Sequence, residues 1–129
     1  MVAPLVLYEG RREGYLACDT PYHDLRHAME TALATARLVD GWEITLARTR
    51  GSLGAEAALL AVVLALLHDV GFLRRSEEAH VKGASFFHEH EARSAQFAER
   101  YLERSPLRPL APLARLIDLT RPGSRMATF

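Results

Sequence analysis

Eleven consecutive apolar residues, 57–67, run without a break into a histidine and an aspartate, His68-Asp69. A helix over 55–69 that is apolar nearly all round belongs in the centre of a bundle rather than at its surface. Val62-Val63 is β-branched and makes a buried strand the competing reading. The length of the run and its Ala and Leu content decide for helix. A histidine and a carboxylate at the inner end of such a helix carry a desolvation cost unless they are paired or bind a cation. The other reading is a helix C-terminus, where a histidine meets the dipole favourably.

The rest of the chain reads as helices around that centre. A helix is expected from Asp19-Thr20-Pro21, with Thr20 as N-cap and Pro21 in the first turn, to about Val39. Leu25, Ala28, Met29, Ala32, Ala36 and Val39 mark its inner face, and Asp40-Gly41 ends it. Residues 42–50 form a short helix or turn, and Gly51 to Gly54 breaks the chain. Periodicity fails over 70–85, and so long an irregular stretch is often functional. A further helix fits 87–103, with Ala92, Ala95, Phe97, Ala98 and Leu102 inward, and another runs from Ser105-Pro106 to about Leu119. The one weak strand candidate is 5–8. The fold class is therefore all-α, a helical bundle, in a single domain over 1–129 with its core in 16–120.

The charges exclude some classes of partner. Sixteen basic and sixteen acidic residues cancel, so no global field draws in a nucleic-acid polymer or an anionic membrane. The apolar run is short of the ~20 residues that cross a bilayer. Cys18 is the single cysteine and has no internal disulfide partner, and the apolar start lacks a basic leader. Both fit a cytoplasmic protein.

The histidines are unevenly placed. His23 and His27 are spaced i, i+4, one turn apart on one helix face. They read as two ligands, as one ligand and one acid-base group, or as a surface pair. In His88-Glu89-His90-Glu91 alternate side chains diverge, so one histidine faces a site and the other solvent. The carboxylates there also suit a helix start. Imidazole with carboxylate suits Mn, Fe, Ni or Zn rather than a thiolate site. No Gly-rich phosphate loop and no nucleophile elbow is present. Ser94 reads as packing or capping.

Three blocks, Tyr22-His23-Asp24-Leu25-Arg26-His27-Ala28, then His68-Asp69-Val70-Gly71-Phe72, then His90 ahead of Arg93-Ser94, resemble those of the HD-domain metal-dependent phosphohydrolases. The tyrosine-histidine opening is similar to that of the 3′,5′-cyclic nucleotide phosphodiesterases. The resemblance spans 16–120. It implies an all-α fold and one or two divalent metal ions (Mn, Fe, Ni, Zn or Mg) on His27, His68 and Asp69. Asp69 is then the bridging carboxylate of a two-metal site. His23 falls where the phosphodiesterases protonate the leaving oxygen, and His90 where some HD families add a histidine. The implied substrate is a small phosphorylated molecule, a cyclic or other nucleotide, attacked by metal-activated water.

The family closes its site with an aspartate on a later helix. Here the late aspartate is Asp118, in a setting similar to the segment before that final ligand. The expectation is a chain that stops short of its last helix, since residues 123–129 have no pattern of their own. Such a chain binds metal weakly and turns over poorly. The alternatives to an enzyme are a non-catalytic HD-type ligand-binding or sensor module, and a plain helical interaction protein with incidental histidines.

Overall fold

A computed structural model describes residues 3–122. Helices α1 (Ala3–Tyr8), α2 (Leu25–Thr45), α3 (Ala47–Arg50), α4 (Ala55–Leu67) and α5 (His90–Glu103) precede a terminal run of 3-10 turns, Arg108–Thr120. Three shorter 3-10 turns, Val70–Phe72, Ser76–Glu78 and Gly83–Phe86, lie between α4 and α5. Among the described residues there is no strand, and the sole extended pairing is an isolated bridge between Tyr15 and Arg75. The all-α expectation holds.

The α4 helix lies at the centre as its composition requires. Leu60, Val63, Leu64 and Leu67 join Ala28 of α2, Ala95, Ala98 and Leu102 of α5 and Ala111, Ala114 and Ile117 of the terminal run in one core. The coverage is incomplete, for Leu59 keeps 48% exposure. The stretch Ala55–Phe72 is long and apolar enough to cross a membrane by length and composition, a wider span than the 57–67 run considered alone. In this fold it is the core helix, packed against α2, α5 and the terminal run.

Several local expectations are corrected. The helix expected from Thr20-Pro21 starts at Leu25, because Asp24 is the N-cap: its carboxylate accepts the His27 N–H at 3.0 Å. Such a charge-assisted cap outcompetes a threonine hydroxyl, and Thr20 Oγ1 is buried without a hydrogen-bond partner among the described residues. Asp40-Gly41 does not end α2, which runs on to Thr45. A helical glycine costs only about 1 kcal/mol relative to alanine, and Trp42 ties the helix end down by donating from Nε1 to the Gly51 carbonyl at 2.9 Å. Residues 42–50 thus form the end of α2 and the short α3. Residues 5–8, the strand candidate, belong to α1. Met29, Ala36 and Ala92, expected inward, are exposed.

The terminal segment is helical as expected but follows a three-residue period. Pro106, Pro109 and Pro112 recur every third residue, and so do the buried Ala111, Ala114 and Ile117. Proline supplies no N–H and crowds the carbonyl four residues back, which removes the advantage of α-helical bonding. A 3-10 winding puts every third residue on one face.

Candidate metal centre

The residues singled out in the sequence come from four separate places in the chain. His23 lies in the non-helical entry to α2, one residue before the Asp24 cap, and His27 in the first turn of α2. The two are therefore not on one helix face. His68 caps α4, Asp69 follows it, and His90 opens α5. They nevertheless converge. His23 Nδ1 donates to Asp69 Oδ2 at 2.7 Å. The Nε2 atoms of His27 and His68 each stand 3.2 Å from the same oxygen. His90 Nε2 lies 3.6 Å from the other oxygen, Oδ1. Potential ligand atoms of His23, His27 and Asp69 all fall within 4.8 Å of one another, a grouping that could hold a metal ion.

Asp69 is buried, with 3% of its side chain exposed, and the histidine rings are mostly covered. Burial alone raises a carboxyl pKa. Here the hydrogen bonds and charge of His68 and His23 outweigh burial and hold the Asp69 carboxyl down to about 2. Burial likewise opposes protonation of His68, but Asp69 and the Ala65 carbonyl together lift its pKa above the ordinary value.

Carbonyl groups fix two of the rings. His68 Nδ1 lies 2.6 Å from Ala65 O, and His90 Nδ1 lies 2.6 Å from Phe87 O. A carbonyl oxygen only accepts, so both Nδ1 atoms carry the proton. Each Nε2 is thereby left facing carboxylate oxygens: Asp69 for His68, and Glu91 Oε2 at 3.1 Å for His90. Nitrogen lone pairs aimed at carboxylate oxygens need a proton or a cation between them. A carbonyl bonded to the remote ring nitrogen is also how proteins orient metal-ligating histidines. The donor set, imidazole nitrogens around a buried carboxylate, therefore fits a divalent cation.

Backbone packing sets the distances. Gly71 follows Asp69 and lies flat against the start of α5; a Cβ there would meet the His90 carbonyl oxygen at 2.1 Å. The buried Ser94 hydroxyl accepts the Gly71 N–H at 2.8 Å, so it ties the segment after Asp69 to α5 in a packing role. Arg93 donates to the Gly71 carbonyl at 2.7 Å and to the Leu73 carbonyl at 2.9 Å, and forks onto Glu78 at 2.9 and 3.0 Å. The Arg93 guanidinium, its hydrogen bonds and its charge hold the Glu78 carboxyl below its ordinary range. Phe72 stacks on His23 at 4.4 Å and on His90 at 4.2 Å between ring centroids.

Other sequence candidates fall outside the cluster. His88 is exposed against Phe87, so His90 is the histidine of that pair that turns inward. Asp118 is exposed on the terminal run and is not among the grouped ligand atoms of the described residues. Residues 123–129, read as a patternless tail, lie outside the described residues. Sequence reading missed two participants. Glu91 is a buried carboxylate against His90; in the sequence it reads as an ordinary helix-start charge. Phe72, three residues beyond Asp69, was visible in the sequence only as part of the His68-Asp69-Val70-Gly71-Phe72 motif.

A shallow cavity of about 320 Å³ opens beside His27, lined by Tyr22, Asp24 and Arg26. The family model for the HD domain matches residues 24–125. Neither the curated proteins nor the solved structures compared with the chain gave a match.

Proposed function

The chain belongs to the HD-domain family of metal-dependent phosphohydrolases, and on that premise we propose that it hydrolyses a phosphoester of a small molecule, a cyclic or other nucleotide. The observation that carries the reading is the convergence of His27, His68 and His90 Nε2 on the buried, ionised Asp69. His27, His68 and Asp69 would hold the cation, with His90 at the second Asp69 oxygen. A divalent cation bound there lowers the pKa of water towards ~7 and offsets charge growing on phosphoryl oxygens. The chain's own residues do the rest. Asp69 stays ionised and fixes the His23 ring through Nδ1, much as a carboxylate orients a histidine in a hydrolytic triad. His23 keeps 29% side-chain exposure, and with its Nδ1–H held by Asp69 the imidazolium form would give its Nε2 proton to the leaving alkoxide and return to the neutral ring.

The test is elemental analysis of the purified protein with turnover of bis(p-nitrophenyl) phosphate and of 3′,5′-cyclic AMP. His68→Ala and Asp69→Ala should lose both metal and turnover. His23→Ala should keep the metal and lose about 10²–10⁴-fold on the alkoxide leaving group of cyclic AMP. Its loss on p-nitrophenolate should be far smaller, because that leaving group needs no proton. Full metal content and activity in His68→Ala would sink the proposal.

A second reading is favoured by one observation: among the described residues no later aspartate joins the cluster. A module that binds metal and a nucleotide without turnover would melt higher with metal and nucleotide, yet show no product.

A further inference from the structure

A second cavity, of about 530 Å³, lies away from the histidine cluster. It is walled by Arg12, Arg100 and Arg104 together with Tyr15, Phe97 and Tyr101, and no acidic residue lines it. Four arginines of the chain have carboxylate partners, Arg11 with Glu9, Arg26 with Glu30, Arg74 with Asp19 and Arg93 with Glu78, while others stand singly; what sets Arg12, Arg100 and Arg104 apart is that they line one hollow together. The three at this cavity have no such partner among the described residues. In a chain of zero net charge, three guanidiniums around one hollow with no acidic lining among the described residues form a local positive field.

The arrangement is partly preorganised. Tyr15 and Phe97 meet edge to face at 5.7 Å, and the Arg12 guanidinium lies 5.0 Å over the Phe97 ring and 6.0 Å from that of Tyr15. Cation–π contact of this kind positions the group while leaving its N–H donors unspent. Arg100 sits in the last turn of α5 and Arg104 is the residue that caps its C-terminus. Cations at a helix C-terminus are favoured by the dipole, which accounts for those two on their own. It does not account for Arg12, which arrives from the segment before α2. Guanidinium forks match phosphate geometry, and aromatic faces suit a planar ring. The volume falls within the ~300–1,000 Å³ of small-ligand sites.

We infer that this cavity is a binding site for a small aromatic phosphate of mononucleotide size, with the phosphate on the three arginines and the base against the tyrosine and phenylalanine rings. It is separate from the metal centre: His90 and Arg100 are ten residues apart on α5, roughly 15 Å at the helical rise. It does not depend on the proposed hydrolysis.

The experiment is calorimetric titration of the whole chain in EDTA, so that phosphate has no metal to bind, with AMP, adenosine and inorganic phosphate as probes. AMP should bind, and adenosine and phosphate should each bind at least ~10-fold more weakly. Arg100→Ala/Arg104→Ala, two exposed positions whose loss should leave the far-UV dichroism unchanged, should weaken AMP by about tenfold per arginine. His68→Ala should leave AMP affinity unchanged. No AMP binding, or binding unchanged in the double variant, or binding lost in His68→Ala, would overturn the assignment. Phosphate as tight as AMP would overturn the role given to the rings.

Discussion

Gly71→Ala tests how the metal centre is held together. The added Cβ would sit 2.1 Å from the His90 carbonyl oxygen and 2.8 Å from its carbonyl carbon and Cα. All three are backbone atoms, so no side-chain rotation relieves the clash. Ordinary contact begins at about 3.4 Å, and the segment after Asp69 must therefore move away from α5 by roughly 1 Å. Overpacking of this kind costs about 1–3 kcal/mol. The same movement stretches the Ser94–Gly71 and Arg93–Gly71 hydrogen bonds, worth about 1 kcal/mol each. We expect a destabilisation of about 2–4 kcal/mol, near 10 °C in Tm for a domain of this size. His90 would also be carried away from Asp69, so metal content should fall. Urea denaturation gives the first quantity and elemental analysis the second. The control is Gly14→Ala, where a Cβ meets nothing within 4 Å but φ is +89°. It should cost about 1–2 kcal/mol through backbone strain alone and leave metal content untouched. A Gly71→Ala protein within 0.5 kcal/mol of the parent and fully loaded with metal would refute the reasoning.

Ser94→Ala removes the acceptor of a buried N–H and should cost about 1–3 kcal/mol; an unchanged denaturation midpoint would show the hydrogen bond to be dispensable. Glu78 has a folded pKa below its unfolded value, so its pairing with Arg93 stabilises the protein above pH ~4.3 and fades as pH falls further. Between pH 5 and 3 the parent should therefore lose more stability than Glu78→Gln, as read by melting across that range. Tyr8 buries a hydroxyl with no hydrogen-bond partner among the described residues, and burial pushes its pKa upward. Tyr8→Phe should leave Tm unchanged or raise it, and a fall of more than about 1 kcal/mol would show that the hydroxyl has a partner in solution.

Much of this protein was determined by local sequence. The 57–67 run favours a central helix because eleven apolar residues in succession gain most from burial yet fall short of a bilayer span, and His68-Asp69 at its end places two polar groups where desolvation demands partners. The all-α class follows from the lack of period-two alternation. The segment from Ser105-Pro106 reads in sequence as an ordinary helix, and its 3-10 winding emerged only in the structure, where Pro106, Pro109 and Pro112 recur every third residue.

Other features were decided only by tertiary structure. Asp24 rather than Thr20 caps α2, so His23 leaves the helix and reaches Asp69 through a bend rather than along a helix face. Glu91 becomes a site-adjacent carboxylate only because Gly71 lets the start of α5 close on the segment after Asp69. Arg12 meets Arg100 and Arg104 across more than eighty residues of chain, a distance no local pattern spans. Local sequence sets which groups must be buried or capped, since those costs are paid within a few residues. Which groups share a site depends on how close two backbones come, and that is a property of the packed chain.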